Sequence, residues 1–108
     1  MSDIFVMIRN QDNLVLTSIE GVAFVALLQQ NGQVLAEEVV DLIYADAGFD
    51  DLPWGQYTVV VQHQRVEPQQ TPYDVTISAD DDVILLTFVY LEPERVLLRI
   101  QASVEKRL

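Results

Sequence analysis

Cysteine is absent and histidine occurs once, as His63. Without thiols and with a single imidazole, the chain has neither a disulfide framework nor the donors of a soft or imidazole-rich metal site. No apolar run approaches the ~20 residues that span a bilayer, and no basic segment leads into an apolar one at the amino terminus. Membrane insertion and a secretory leader are therefore not expected. The cytoplasm is the default location, and an extracellular one would apply if the chain were a piece of an exported protein. Basic residues are also scarce. Six Lys and Arg face seventeen Asp and Glu, for a net charge of −11.

The imbalance is uneven. Residues 1–94 carry sixteen acids against Arg9 and Arg65, a balance of −14, whereas residues 95–108 carry four bases against Glu105, a balance of +3. A body this acidic repels phosphate backbones and anionic membranes, so nucleic-acid binding is not expected. Solubility is the simplest role of the charge, and steering of a basic partner is the sharper one.

One hundred and eight residues make one domain, large enough to bury a core without staples. Its patterning has mostly a period of two. Ile4 to Ile8 reads as a strand closed by a turn over Arg9–Asn13, and Leu14 to Ile19 as a second short strand. Val22 to Leu28 precedes Asn31-Gly32, a type I′ hairpin signal whose return arm extends from Gln33 to about Tyr44. Within that arm, Ala36-Glu37-Glu38 suggests a bulge or short helical turn. A turn-rich region follows over Ala45–Gly55. From Gln56 to Gln64, Tyr57, Val59, Val61 and His63 share one face. Pro68 and Pro72 bracket a loop, after which Tyr73, Val75, Ile77 and Ala79 point inward. Asp80-Asp81-Asp82 makes a turn before the apolar stretch Val83–Leu91.

The segment after Pro93 fits two templates. Proline at a first helical position, early acids and late bases suit a helix. Yet Val96, Leu98, Ile100, Ala102 and Val104 alternate with Arg99, Gln101, Ser103 and Glu105, Leu97 being the one exception, and a strand is the expectation. Seven or eight short strands without an amphipathic helix predict an all-β fold, an antiparallel sandwich.

The stretch Asp46-Ala47-Gly48-Phe49-Asp50-Asp51-Leu52-Pro53-Trp54-Gly55-Gln56-Tyr57-Thr58-Val59-Val60-Val61 resembles a signature of the prealbumin-like sandwiches. These include the B-type repeats of collagen adhesins and the carboxypeptidase regulatory-like domains. Their pattern is an acidic residue and glycine in a turn, an aromatic, then Leu-Pro-x-Gly-x-Tyr leading into a branched strand. The resemblance covers about residues 20–91 and implies a Greek-key sandwich. Within it Gly48 and Gly55 are expected at positive φ and Tyr57 in the core. It carries little about function, because the fold serves spacers, adhesins and enzymes alike. The isopeptide crosslink of adhesin repeats is not expected, since the only lysine, Lys106, lies beyond the matching strands. Transthyretin-like hydrolases need several histidines and a terminal Tyr-Arg-Gly-Ser, whereas this chain ends Glu105-Lys106-Arg107-Leu108. Intradiol dioxygenases need a Tyr/His iron site, which one histidine does not supply.

No nucleophile–base pair can be named, so catalysis and cofactors are not expected and His63 reads as structural. Of the acidic clusters, Asp80-Asp81-Asp82 reads as a solvated turn. Asp46, Asp50 and Asp51 are weak calcium candidates if their loop turns carboxylates to one point. Trp54 either projects outward, toward a sugar or a protein, or caps the core beside Phe49, the simpler expectation.

Apolar surplus is the most informative feature. Val83, Leu85, Val89 and Leu91 line one face of their strand, and Ile84, Leu86, Phe88 and Tyr90 line the other. A sandwich strand buries only one face. The second must be covered by the carboxyl-terminal segment, a second copy or another protein. Ile84, Leu86, Phe88 and Tyr90, with Trp54, are the candidate contacts. A non-catalytic structural or protein-interaction domain is the expected function, with a protein partner or homodimer. A carbohydrate- or calcium-binding accessory module is the alternative.

Overall fold

Strand β1 (Ser2–Asn10) buries Ile4, Val6 and Ile8 completely and turns Phe5 and Met7 to the other side, the alternation that its period-two pattern dictates. The computed structural model describes residues 1–106 and contains no helix among them. Arg107 and Leu108, which the expectation for the carboxyl-terminal segment included, lie outside the described residues. The further strands are β2 (Ser18–Ile19), β3 (Val22–Ala23), β4 (Val25–Gln30), β5 (Gln33–Val39), β6 (Asp46–Leu52), β7 (Gly55–Gln62), β8 (Gln70–Ile77), β9 (Asp82–Leu91) and β10 (Val96–Lys106). One four-stranded sheet has the order β10-β9-β1-β6 and the other β5-β4-β7-β8, with β2 and β3 as a separate hairpin. The inner faces of the two sheets meet in a core that includes Ile4, Phe24, Leu28, Val59, Val61, Ile77, Phe88 and Tyr90.

The all-β sandwich expected from the sequence is present, with ten strands in place of seven or eight. It is not wholly antiparallel. β1 and β9 run parallel, from Asp3 beside Val83 to Asn10 beside Tyr90. This pairing decides which face of β9 is inside. Ile84, Leu86 and Phe88 stand beside Ile4, Val6 and Ile8, and with Tyr90 they are at most 4% exposed. The four candidate contacts on β9 are therefore core residues. Thr87, the polar residue within Val83–Leu91, lies on the opposite face with Val83 and Leu85.

Several local expectations hold and several change. Asn31 and Gly32 adopt φ 52° and 79°, as a type I′ turn requires, and β5 is bulged near Leu35, next to the stretch where a bulge was expected. β5 ends at Val39, short of Tyr44. The region 45–55, expected as turns, contains β6, which pairs with β1. Leu14–Ile19 forms only the two-residue β2 and an isolated bridge at Val15. Pro72 lies inside β8 rather than in a loop, and β8 tolerates it because it is an edge strand.

Gly48 does not take a positive φ. It is paired with Phe5, and a Cβ built on it would lie 2.9 Å from the Phe5 ring, so glycine serves there to let the ring cover the strand. Gly48→Val is expected to displace the ring and cost about 1–2 kcal/mol, less in a Phe5→Ala background. Urea unfolding of the four-member mutant cycle measures both values.

β10 settles the carboxyl-terminal segment as a strand that extends the sheet at its edge instead of covering a face. A register shift between Leu97 and Arg99 makes Leu98 an extra residue. Leu97 and Ile100 thereby both stand beside core-facing residues of β9, Tyr90 and Phe88, which explains the one break in the alternation.

Candidate interaction site

His63 directly follows the last residue of β7 and is 4% exposed. Its Nδ1 accepts the Arg65 N–H at 3.0 Å, which leaves Nε2 to donate to the Val22 carbonyl at 2.8 Å. The ring rests on Phe24, with centroids 4.6 Å apart, and Phe24 in turn packs on Tyr90 at 5.2 Å. Both imidazole nitrogens are thus engaged by backbone groups. The open groove beside His63 has a volume of about 380 Å³ and is lined by Val22, Gln62, Gln64, Gln69 and Gln70, among others. Its chemistry is that of neutral amides and small aliphatic side chains.

Trp54 is 62% exposed, so it does not cap the core beside Phe49. Its indole N–H donates to Asp80 Oδ1 at 2.9 Å, fixing the ring across the turn that leads to β9. The Tyr57 hydroxyl donates to the Pro53 carbonyl at 2.7 Å and ties the same corner from within. Burial pushes the Tyr57 phenol above its ordinary pKa, with the Gln30 side chain pulling the other way. Trp54 and the amide-lined groove lie at opposite ends of β7, roughly 25–30 Å apart at strand rise. An aromatic platform and amide donors are not brought together.

The calcium candidates are not brought together either. Asp46 and Asp50 occupy one face of β6, about 13 Å apart along the strand. Asp51 adopts φ 57°, and its N–H donates to Asp3 Oδ1. The loop that was to gather these carboxylates is an extended strand with a bulge. Among the described residues, no group of three Asp, Glu, His or Cys side chains could hold a metal ion.

The feature that sequence reasoning missed is the loop between β5 and β6. Leu42, Ile43 and Tyr44 are 62%, 71% and 64% exposed, three large apolar side chains in succession. The loop is tightly held. Asp41 Oδ1 accepts the Ile43 N–H at 2.8 Å, the Asp41 carbonyl accepts the Ala45 N–H at 3.0 Å, and the Asp41 N–H donates to the Asp46 carbonyl at 2.9 Å. Arg9 donates from its guanidinium to the Tyr44 carbonyl, and the Ile8 N–H donates to the Ala45 carbonyl. On the same end of β1, the Leu16 N–H donates to the Ile8 carbonyl and Val15 bridges Arg9. The exposed Val15 is thereby anchored beside the same two residues as the loop, and the exposed Leu14 is tied to the next one, Asn10. Burial of a side chain of this size is worth about 1.5–3 kcal/mol, which this loop forgoes three times in a row. The signal in the sequence is the run Leu42-Ile43-Tyr44 directly after Asp41, which reads equally as the end of a strand.

Comparison of the chain with family models, curated proteins and solved structures returns no match.

Proposed function

We propose that the chain is a prealbumin-like sandwich that acts as a non-catalytic interaction domain, contacting a protein partner through the end that carries Leu42, Ile43 and Tyr44. The prealbumin-like assignment is supported by the two four-stranded sheets, the Asn31-Gly32 hairpin and the corner in which Tyr57 lies beneath Pro53-Trp54-Gly55. A non-catalytic role accords with the engagement of both His63 nitrogens by backbone. The single observation that carries the reading is the apolar loop tip held rigid by Asp41. A rigid apolar tip loses little conformational freedom on binding, which is what a contact residue needs.

The test uses Leu42→Ser with Ile43→Ser. Both side chains are exposed, so unfolding stability is expected to stay within about 0.5 kcal/mol of the parent. The variant is expected to lose the protein that the parent chain retains through purification under native conditions. A variant that retains that protein equally well overturns the reading. A glycan array and a calcium titration followed by thermal unfolding are expected to give no response, and a response in either replaces it with the accessory-module alternative.

A further inference from the structure

Four strands form the edges of the two four-stranded sheets: β10 and β6 in one, β5 and β8 in the other. An unpaired edge is a template for another strand, and folded proteins blunt it with proline, bulges or inward-pointing charges. β8 carries Pro72 within its paired length. β5 is bulged near Leu35 and sets Glu38 beside Ala26, on the core-facing side. β6 has a register shift around Asp50 and Asp51, with Asp51 in the left-handed region. β10 differs from all three. Its bulge lies near one end, at Leu98, and from Arg99 to Glu105 it pairs with β9 residue for residue. That stretch contains no proline, no glycine and no core-facing charge.

The same stretch leaves apolar surface uncovered on its inner side. Val104 shares the face of Ile84 and Ala102 that of Leu86, yet Val104 is 62% exposed and Ala102 is exposed as well. The opposite sheet does not reach across this part of β10.

We propose that β10 pairs antiparallel with β10 of a second copy of this chain, about a two-fold axis at Ala102, joining two four-stranded sheets into one continuous sheet. The inference is independent of the loop reading, because β10 lies at the opposite edge of its sheet from β6, whose start adjoins the Leu42–Tyr44 loop. In this register Arg99 stands opposite the partner's Glu105 and Ile100 opposite the partner's Val104, and the two-fold axis repeats each pair. The parity is right. Arg99 and Glu105 both lie on the outer face, beside Val89 and Val83, while Ile100 and Val104 both lie on the inner face. A slip of one residue sets outer side chains against inner ones, and a slip of two parts both ion pairs. The edge is therefore self-complementary in charge and in shape at one register. It also lies in the basic segment 95–108, with a balance of +3, so two bodies of net charge −11 meet where basic residues are concentrated.

A single strand pair is a small interface, so the dimer is expected at about 100 μM rather than at nanomolar concentration. Sedimentation equilibrium of the full chain reads the mass. Arg99→Glu and Glu105→Arg each set like charges opposite one another twice per dimer and are expected to raise the dissociation constant about tenfold. The double variant Arg99→Glu/Glu105→Arg restores both pairs with their signs exchanged and is expected to return to within about threefold of the parent. Both residues are exposed at the sheet edge, and circular dichroism and urea midpoints confirm that the variants fold. A monomeric parent at that concentration overturns the proposal. So does a dimer indifferent to the single exchanges, or one that the double exchange does not restore.

Discussion

Phe88→Ala is expected to remove about 3–5 kcal/mol of folding stability, a large part of what a domain of this length possesses. The ring is fully buried and stands on β9 beside Ile8 of β1, in the parallel pair at the centre of one sheet. Its loss opens a cavity between two layers whose other side chains are held by their own strand registers, so little collapse can follow. Leu85→Ala, three residues away on the outer face, removes a side chain that is only partly buried and is expected to cost about 1 kcal/mol or less. The contrast separates two readings of one strand. If Ile84, Leu86, Phe88 and Tyr90 were a partner surface, Phe88→Ala would leave folding nearly unchanged and abolish association. Urea midpoints at constant slope give both values, and a small effect at Phe88 paired with a large one at Leu85 overturns the assignment of faces.

How far the sequence anticipates the structure depends on what each element answers to. The strands with polar residues on one face were legible. In β7 the set Tyr57, Val59 and Val61, with His63 just beyond its end, is buried, and in β8 Val75 and Ile77 are, as alternation requires. The Asn31-Gly32 turn was legible because its backbone needs two left-handed residues that few side chains tolerate. β9 is apolar on both faces, so periodicity could not orient it. Thr87 was the one local clue, and the parallel neighbour β1 decides the matter through contacts some eighty residues apart in the chain. β6 was hidden for a related reason. Gly48, Asp50 and Asp51 are turn formers by composition, and only the pairing with β1, with Phe5 lying over Gly48, makes a strand of them. Of the candidate contacts, Trp54 alone is exposed, while the apolar loop Leu42–Tyr44 reads in the sequence as the end of a hairpin's return arm. Sequence carries the period of a strand but not where its hydrogen-bonded partner ends. Val40 is where β5 leaves β4, its N–H donating to the Phe24 carbonyl before the chain turns outward.

Alkaline solution is expected to destabilise the fold through Tyr90. The side chain is fully buried against Phe24, and burial pushes its phenol up to about 12, with the Thr71 hydroxyl opposing. In the unfolded chain the same group ionises near pH 10. Below that pH both states hold the proton and the difference contributes nothing to a change with pH. Between about 10 and 12 the unfolded chain releases a proton that the folded chain keeps, so the unfolded state gains and stability falls. Two pH units correspond to about 2–3 kcal/mol, lost in full once the folded phenol also ionises. Tyr57, whose phenol is raised for the same reason, adds in the same direction. Tyr90→Phe is expected to flatten most of this decline. At neutral pH the substitution is expected to cost little, because neither the Tyr90 nor the Thr71 hydroxyl makes a well-aligned hydrogen bond among the described residues. Tyr57→Phe should behave in the opposite manner at neutral pH, losing about 1 kcal/mol with its bond to the Pro53 carbonyl. Urea midpoints at about pH 9 and pH 11.5, with tyrosinate absorbance followed in parallel, test the pair. An alkaline decline that is the same with and without the Tyr90 hydroxyl would assign it to the repulsion among seventeen acids in a chain whose few bases are losing their protons.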